Sequence, residues 1–316
     1  MYQQIAANKA KSIFTIIFFI LFIAAIGYFI GYIFDYRYGA GSNFSIIILV
    51  VAFVIALITS FTSYYYSDKI VLQISRAHPI DRDTDTRVHY MIEGLSIAAG
   101  IPLPRIYIIE ENGMNAFATG RNPQNGVLVL TRGIIDNLND EELKGVISHE
   151  LSHIKGYDIL LGTVIVIFVG MLSIASNILL RSFFFGGGRR RSNDRSGGGG
   201  GIFSLIILII GLILIILSPL IGTLIRMAIS RNREFLADSN GALITRYPAG
   251  LSNALRKINQ FSQIESASSA TSHMFIADPL TKKNKPVFPG LFSTHPPIEE
   301  RIKRLDEMSL GIGIRN

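Results

Sequence analysis

Asn139-Asp140-Glu141-Glu142-Leu143-Lys144-Gly145-Val146-Ile147-Ser148-His149-Glu150-Leu151-Ser152-His153-Ile154 is the stretch from which the rest of the chain is read. Leu143, Val146, Ile147, Leu151 and Ile154 recur every three to four positions, which marks one buried face of a helix. Asn139-Asp140 offers a cap, and Glu141-Glu142 suit the positive N-terminal end of the helix dipole. On such a helix His149 and His153 are i and i+4, so both imidazoles can meet one metal ion. Glu150 then lies beside the open coordination position, where it can take a proton from water polarised by the metal.

Two imidazoles leave a catalytic zinc one ligand short, since such sites take three protein ligands and a water. The chain has no cysteine, so the third ligand is His, Asp or Glu. The same lack excludes a disulfide framework and a thiol nucleophile. Ser230-Arg231-Asn232-Arg233-Glu234-Phe235-Leu236-Ala237-Asp238 supplies the best candidate, because Glu234 and Asp238 are again i and i+4. We expect Glu234 to ligate and Asp238 to bond the free ring nitrogen of a ligand His, fixing its tautomer.

Outward from these helices the chain is unusually apolar. Its 316 residues are 49% hydrophobic and 17% charged, with mean hydropathy +0.40. That excludes a disordered or purely soluble class. Four stretches carry no charge: 13–34 (22 residues), 44–66 (23), 159–180 (22) and 202–225 (24). Each is long enough to span a hydrocarbon core of roughly 30 Å. The first is too long for a signal-peptide core and is expected to be retained. Gly27 and Gly31 inside it form a GxxxG pair, a candidate helix-contact face. No Asp, Glu, Lys, Arg or His lies in any span, which argues against channels, pumps and ion-coupled transporters. The net charge of +7 reads as membrane-flanking charge, with no nucleic-acid partner.

The expected organisation follows. Residues 1–66 hold two spans, and 67–158 the first portion of a catalytic domain with the metal helix. Residues 159–225 form a membrane hairpin with a Gly/Arg-rich loop at 186–201, and 226–316 complete the domain with the third ligand. Both polar blocks then emerge on one face. Near the span ends that face has nine basic residues (Lys9, Lys11, Lys69, Arg76, Lys144, Lys155, Arg226, Arg231, Arg233). The other has six (Arg37, Arg181, Arg189, Arg190, Arg191, Arg195), so the domain and both termini are read as cytoplasmic. Helices running straight out of the spans would lift His153 and Glu234 about 7.5 and 13.5 Å above the bilayer, at about 1.5 Å per residue.

Taken in order, these elements resemble the HtpX-type membrane zinc metalloproteases and, more distantly, the CAAX prenyl proteases. The resemblance rests on the two N-terminal spans, Asn115-Ala116-Phe117-Ala118-Thr119-Gly120, the motif at 149–153, Asp158, the hairpin, the stretch at 230–238, and Ser293-Thr294-His295-Pro296-Pro297 ahead of Ile298-Glu299-Glu300-Arg301-Ile302. It implies an α+β chain: four transmembrane helices plus a mainly helical, zincin-type (gluzincin-like) domain with a small β-sheet. It also implies one Zn2+ per chain held by His149, His153 and Glu234, with Glu150 as catalyst. The implied activity is endoproteolysis of misfolded or damaged membrane proteins, in a multi-pass protein of a bacterial cell membrane whose partners are unfolded substrates and the lipid bilayer.

Other residues carry open readings. Residues 105–110 and 127–131 read as strands. Between them Asn115, Ala116, Phe117 and Ala118 form either an ordinary strand or an edge that binds extended substrate through its backbone. His295, ahead of two prolines, stabilises an oxyanion, fills the fourth zinc position at rest, or packs a turn. Asp158 either caps the third span or bonds a ligand His. His78, His89 and His273 lack a companion at helical spacing and read as structural or exposed. Arg301, Lys303 and Arg304, among Glu299 and Glu300, read as a solvated or headgroup-facing helix. Three competing functions remain. An intramembrane protease would bury the motif in a span, yet polar residues 139–142 and Lys144 precede it. A CAAX-type processing peptidase usually has more spans. A non-catalytic metal-binding adaptor has no need of Glu150.

Overall fold

The computed structural model describes residues 2–38, 43–170, 231–267, 271–277, 279 and 296–311. The helices are α1 (Tyr2–Tyr38), α2 (Asn43–Ile74), α3 (Thr86–Ala99), α4 (Arg132–Asn137), α5 (Asp140–Gly156), α6 (Asp158–Gly170), α7 (Arg231–Thr245), α8 (Pro248–Phe261) and α9 (Ile298–Ser309). The strands are β1 (His78–Pro79), β2 (Arg105–Ile109), β3 (Ala116–Thr119) and β4 (Val127–Thr131). The chain is thus mainly helical with a small sheet, and it divides into two units: residues 1–13, 63–166 and 225–316, and residues 14–62 and 167–224.

Among the described residues, α1 (over Ile5–Tyr32) and α2 are long and apolar enough to cross a membrane. A third span arises only if the bent pair α5–α6 counts as one. The stretch at 159–180 is described as far as Gly170, while that at 202–225 and the loop at 186–201 lie outside the described residues. Both N-terminal helices run past the bounds 13–34 and 44–66, since helical hydrogen bonding does not stop at the edge of an apolar run. Within the second unit a Cβ on Gly27 would overlap the Ala52 Cβ, and one on Gly31 would lie 2.5 Å from the Ser45 Cα. The GxxxG pair is where α1 and α2 touch.

In the first unit the sheet order is β1-β2-β4-β3. Strands β2 and β4 run parallel, and β1 and β3 flank them antiparallel. Side chains alternate across it with period two. Ile106, Ile108, Leu128, Leu130, Ala116 and Ala118 join the core beneath α3, α5 and α8, while Phe117, Val127 and Val129 join Val71, Leu72 and Phe275 on the other face. With both faces covered, β4 reads as a continuous apolar run.

Helix α5 crosses this core. Asn139 caps it reciprocally: its Oδ1 accepts from the Glu142 N–H at 2.9 Å, and Glu142 Oε2 accepts from the Asn139 N–H at 2.9 Å. Leu143, Val146, Ile147, Leu151 and Ile154 are all fully buried. Two glycines bring neighbouring helices to backbone contact. A Cβ on Gly145 would meet the Leu251 N at 2.5 Å, and one on Gly241 the His149 N at 3.0 Å. Helix α5 does not continue straight. Tyr157 takes a left-handed conformation (φ 61°), and α6 leaves at 84° to α5. The straight-helix heights are therefore overturned for His153. The turn follows from Tyr157, whose N–H bonds back to His153 O and Ile154 O and closes the helix.

Candidate metal centre

Helices α5 and α7 bring His149, His153 and Glu234 together, with one donor atom from each within 4.8 Å of the others. The Nε2 atoms of His149 and His153 are 3.2 Å apart, and Glu234 oxygens lie 3.6 Å from His153 Nε2 and 3.9 Å from His149 Nε2. A tetrahedral zinc with bonds of roughly 2.05 Å to nitrogen spaces its ligands about 3.3 Å apart. The donor set and its spacing fit a divalent cation of that size. The three residues wall a cavity of about 60 Å3, together with Glu150, His273 and Phe275. His273, read from its isolation in the chain as structural or exposed, is buried in that wall, where its Nε2 approaches Gly162 O at 3.5 Å.

Each imidazole presents Nε2 because its Nδ1 faces a carboxylate. His149 Nδ1 is 2.9 Å from Asp238 Oδ1, and His153 Nδ1 is 3.0 Å from Asp158 Oδ2. Of the two readings for Asp158, the geometry displays the bond to His153. Burial pushes His149 down to about 4, against the raising effect of Asp238. Burial also acts to lower His153, but the Asp158 hydrogen bond and the charge of Glu234 overcome it and carry His153 up to about 9. Burial raises Glu150 to about 7, with the Glu234 charge adding to the rise. An Ala118 backbone hydrogen bond holds the Glu150 carboxylate against β3.

Arg301 corrects the reading of α9 as a solvated basic helix. It is 0% exposed. Its Nε and Nη2 grip Asp238 as a fork, at 2.9 and 2.7 Å, and its Nη1 donates to Ile276 O at 3.0 Å. The same Nη1 lies 3.8 Å from Glu234. Burial disfavours the Asp238 anion, but the Arg301 charge outweighs it and holds Asp238 down to about 2. Lys303 and Arg304 remain on the outer face of α9, Arg304 over the Phe235 ring at 3.6 Å.

Strand β3 lies at the sheet edge, with Ala118 in the wall of the cavity that His149, His153 and Glu234 line. Its outward backbone is engaged at Ala116. Ala116 O accepts from the Ile276 N–H at 2.9 Å, and the Asn115 side chain bonds Ala277 O at 2.9 Å and Ser262 O at 3.1 Å. Phe275 meets Phe117 edge-on at 4.9 Å. His295 lies outside the described residues.

A family model described as Peptidase family M48 matches residues 82–309. A "Protease HtpX homolog" of Dictyoglomus turgidum is 42% identical over 312 residues, covering 97% of this chain and 94% of the relative. One of Streptococcus pneumoniae is 40% identical over 309 residues, covering 98% and 100%. A crystal structure of S. mikatae Ste24p is 19% identical with a TM-score of 0.48, covering 94% of this chain and 67% of that one.

Proposed function

The chain belongs to peptidase family M48 and is a membrane metalloprotease, and on that premise we propose that it is a zinc endopeptidase of unfolded or damaged membrane proteins, with His149, His153 and Glu234 as ligands and Glu150 as general base. One observation carries this reading: three donor atoms converge within 4.8 Å on the wall of the cavity that also holds Glu150. A cation bound there supplies Lewis-acid polarisation of the scissile carbonyl and acidifies the attacking water.

The protein's own residues do the remainder. Asp238 and Asp158 each hold an imidazole Nδ1–H, so that both Nε2 lone pairs face the cavity. Arg301 keeps Asp238 ionised and aligned for that task. Glu150 takes up the proton of the attacking water and later hands it to the leaving amine. Asn115, Ala116, Phe117 and Ala118 offer the strand along which an extended peptide lies, and His295 is assigned to the oxyanion or to the resting site. For the whole chain we propose four spans, with two in 1–66 and a hairpin in 159–225. The catalytic segments 67–158 and 226–316 and both termini are cytoplasmic.

The test is cleavage of an unfolded protein by the detergent-purified chain, stripped with a chelator and then given zinc, beside Glu150→Gln. Zinc-restored cleavage by the wild type alone supports the reading. Tight zinc binding without cleavage points to an adaptor, and preferential cleavage of a prenylated peptide points to CAAX-type processing.

A further inference from the structure

The polar first turns of α1 hold a buried amide that the proposed chemistry does not use. Asn8 is 5% exposed. An asparagine amide nitrogen carries two N–H groups. Here one donates to Gly156 O at 2.9 Å and the other to Asp158 Oδ1 at 2.5 Å. Gly156 is the last residue of α5, where helical carbonyls lack partners of their own. Asp158 turns its other oxygen, Oδ2, to His153 Nδ1 at 3.0 Å. Arg233 Nη1 approaches Oδ1 from a further side at 3.4 Å. A Cβ on Gly156 would stand 3.2 Å from Oδ2, so the carboxylate fills the space that glycine leaves open. Two further contacts fix the helix turn that carries the amide. Asn8 O accepts from Ser12 Oγ at 2.9 Å, and Lys9 Nζ sits 4.2 Å from the centre of the Tyr157 ring, over the turn that brings Asp158 back towards His153.

We propose that Asn8 is a positioning residue of the metal site: its amide fixes the Asp158 carboxylate, which in turn fixes the His153 imidazole. The proposal rests on the reading of His153 as a ligand. It explains why the side chain is an amide. A carboxylate at position 8 would set lone pairs against two acceptors, Gly156 O and Asp158 Oδ1. An alanine would take the side-chain donor from Gly156 O and leave Asp158 Oδ1 with only the longer Arg233 contact. It also makes the N-terminal helix, otherwise an anchor, a contributor to ligand geometry.

The experiment measures zinc affinity of the full chain in detergent by competition with a chromogenic chelator, alongside thermal unfolding of the metal-free protein. Asn8→Asp is expected to weaken zinc binding about tenfold, the lower end for residues that orient a ligand. Asn8→Ala, which adds no charge and carries the comparison if Asn8→Asp misfolds, is expected to weaken it about threefold, a fraction of that effect. Adding Asp158→Asn to Asn8→Asp restores a donor–acceptor pair, so the double variant should bind zinc more tightly than the product of the single losses. Unchanged zinc affinity in both Asn8 variants, with or without a lower melting temperature, would confine Asn8 to packing and overturn the proposal. Strictly multiplicative losses would overturn it too. His153→Ala separates the two readings. If it loses zinc while the Asn8 variants keep it, only the Asn8 role fails; if it keeps wild-type affinity, the ligand reading fails and takes the proposal with it.

Discussion

The two imidazoles proposed as ligands sit four residues apart on one helix, yet they are held in opposite ways. His149 is 1% exposed, and its carboxylate partner Asp238 is clamped by Arg301, itself without solvent contact. His153 is 15% exposed, and its partner Asp158 is held by Asn8 and, more loosely, by Arg233. One imidazole is oriented by Arg301 through Asp238, the other from the start of α1 through Asp158. The acid–base consequences diverge: burial takes His149 down to about 4, while the carboxylates of Asp158, Glu234 and Glu150 carry His153 up to about 9 against burial. A single metal site can thus draw its rigidity from two regions of the chain that are far apart in sequence.

The largest effect should come from the residue that belongs to neither support. Glu150→Gln is expected to lower cleavage of an unfolded protein by about 10²–10⁴-fold while zinc affinity stays at the wild-type value. A variant that lost zinc as well would merge holding the metal with reacting at it. Next, Arg301→Met strips a buried carboxylate of its counter-charge and should cost about 3–5 kcal/mol of stability in denaturant unfolding. Arg233→Met should cost less, because its contact with Asp158 is longer, at 3.4 Å, and Asn8 stays bonded to that carboxylate. Equal losses would break the contrast between the two ends. Gly241→Ala presses a methyl on the His149 backbone and should cost about 1–3 kcal/mol in the same assay, with weaker zinc binding, because helix α7 and its Glu234 must move.

The outer limit is an ion pair remote from the site. Glu110, 52% exposed, is held below its ordinary value of 4.5 by the Arg132 hydrogen bond. A lowered carboxylate pKa stabilises the fold above the unfolded value, and the gain disappears as pH falls through the folded one. Wild type should therefore exceed Glu110→Gln by a constant margin down to about pH 5, then lose it. Solvent screening keeps that margin at about 0.2–1 kcal/mol, which thermal unfolding across a pH series would resolve.

What could be read from the chain and what could not divides along local and non-local lines. The cap of α5, its buried stripe, the bounds of β4 and the Gly27/Gly31 contact follow from neighbours within a few positions, and each appears in the structure. Arg301 was not legible. Its neighbours Glu299, Glu300, Lys303 and Arg304 give the composition of a solvated helix, while its partner Asp238 lies 63 positions earlier. Nor was the bend at Tyr157, because a tyrosine at positive φ carries no turn signature of the kind Gly or Asn would give. His273 reaches the cavity wall through tertiary packing that no local spacing announces.

The backbone contact at Gly241 has one more consequence. Side chains that separate two helices can change rotamer, but touching backbones cannot, so the gap between α5 and α7 behaves as a fixed gauge. Any adjustment of the donor set to an ion must then come from the side chains. A cation of zinc's size would be met by rotation of the Glu234 side chain, whose oxygens lie 3.6 and 3.9 Å from the two Nε2 atoms, with α5 and α7 staying where they are.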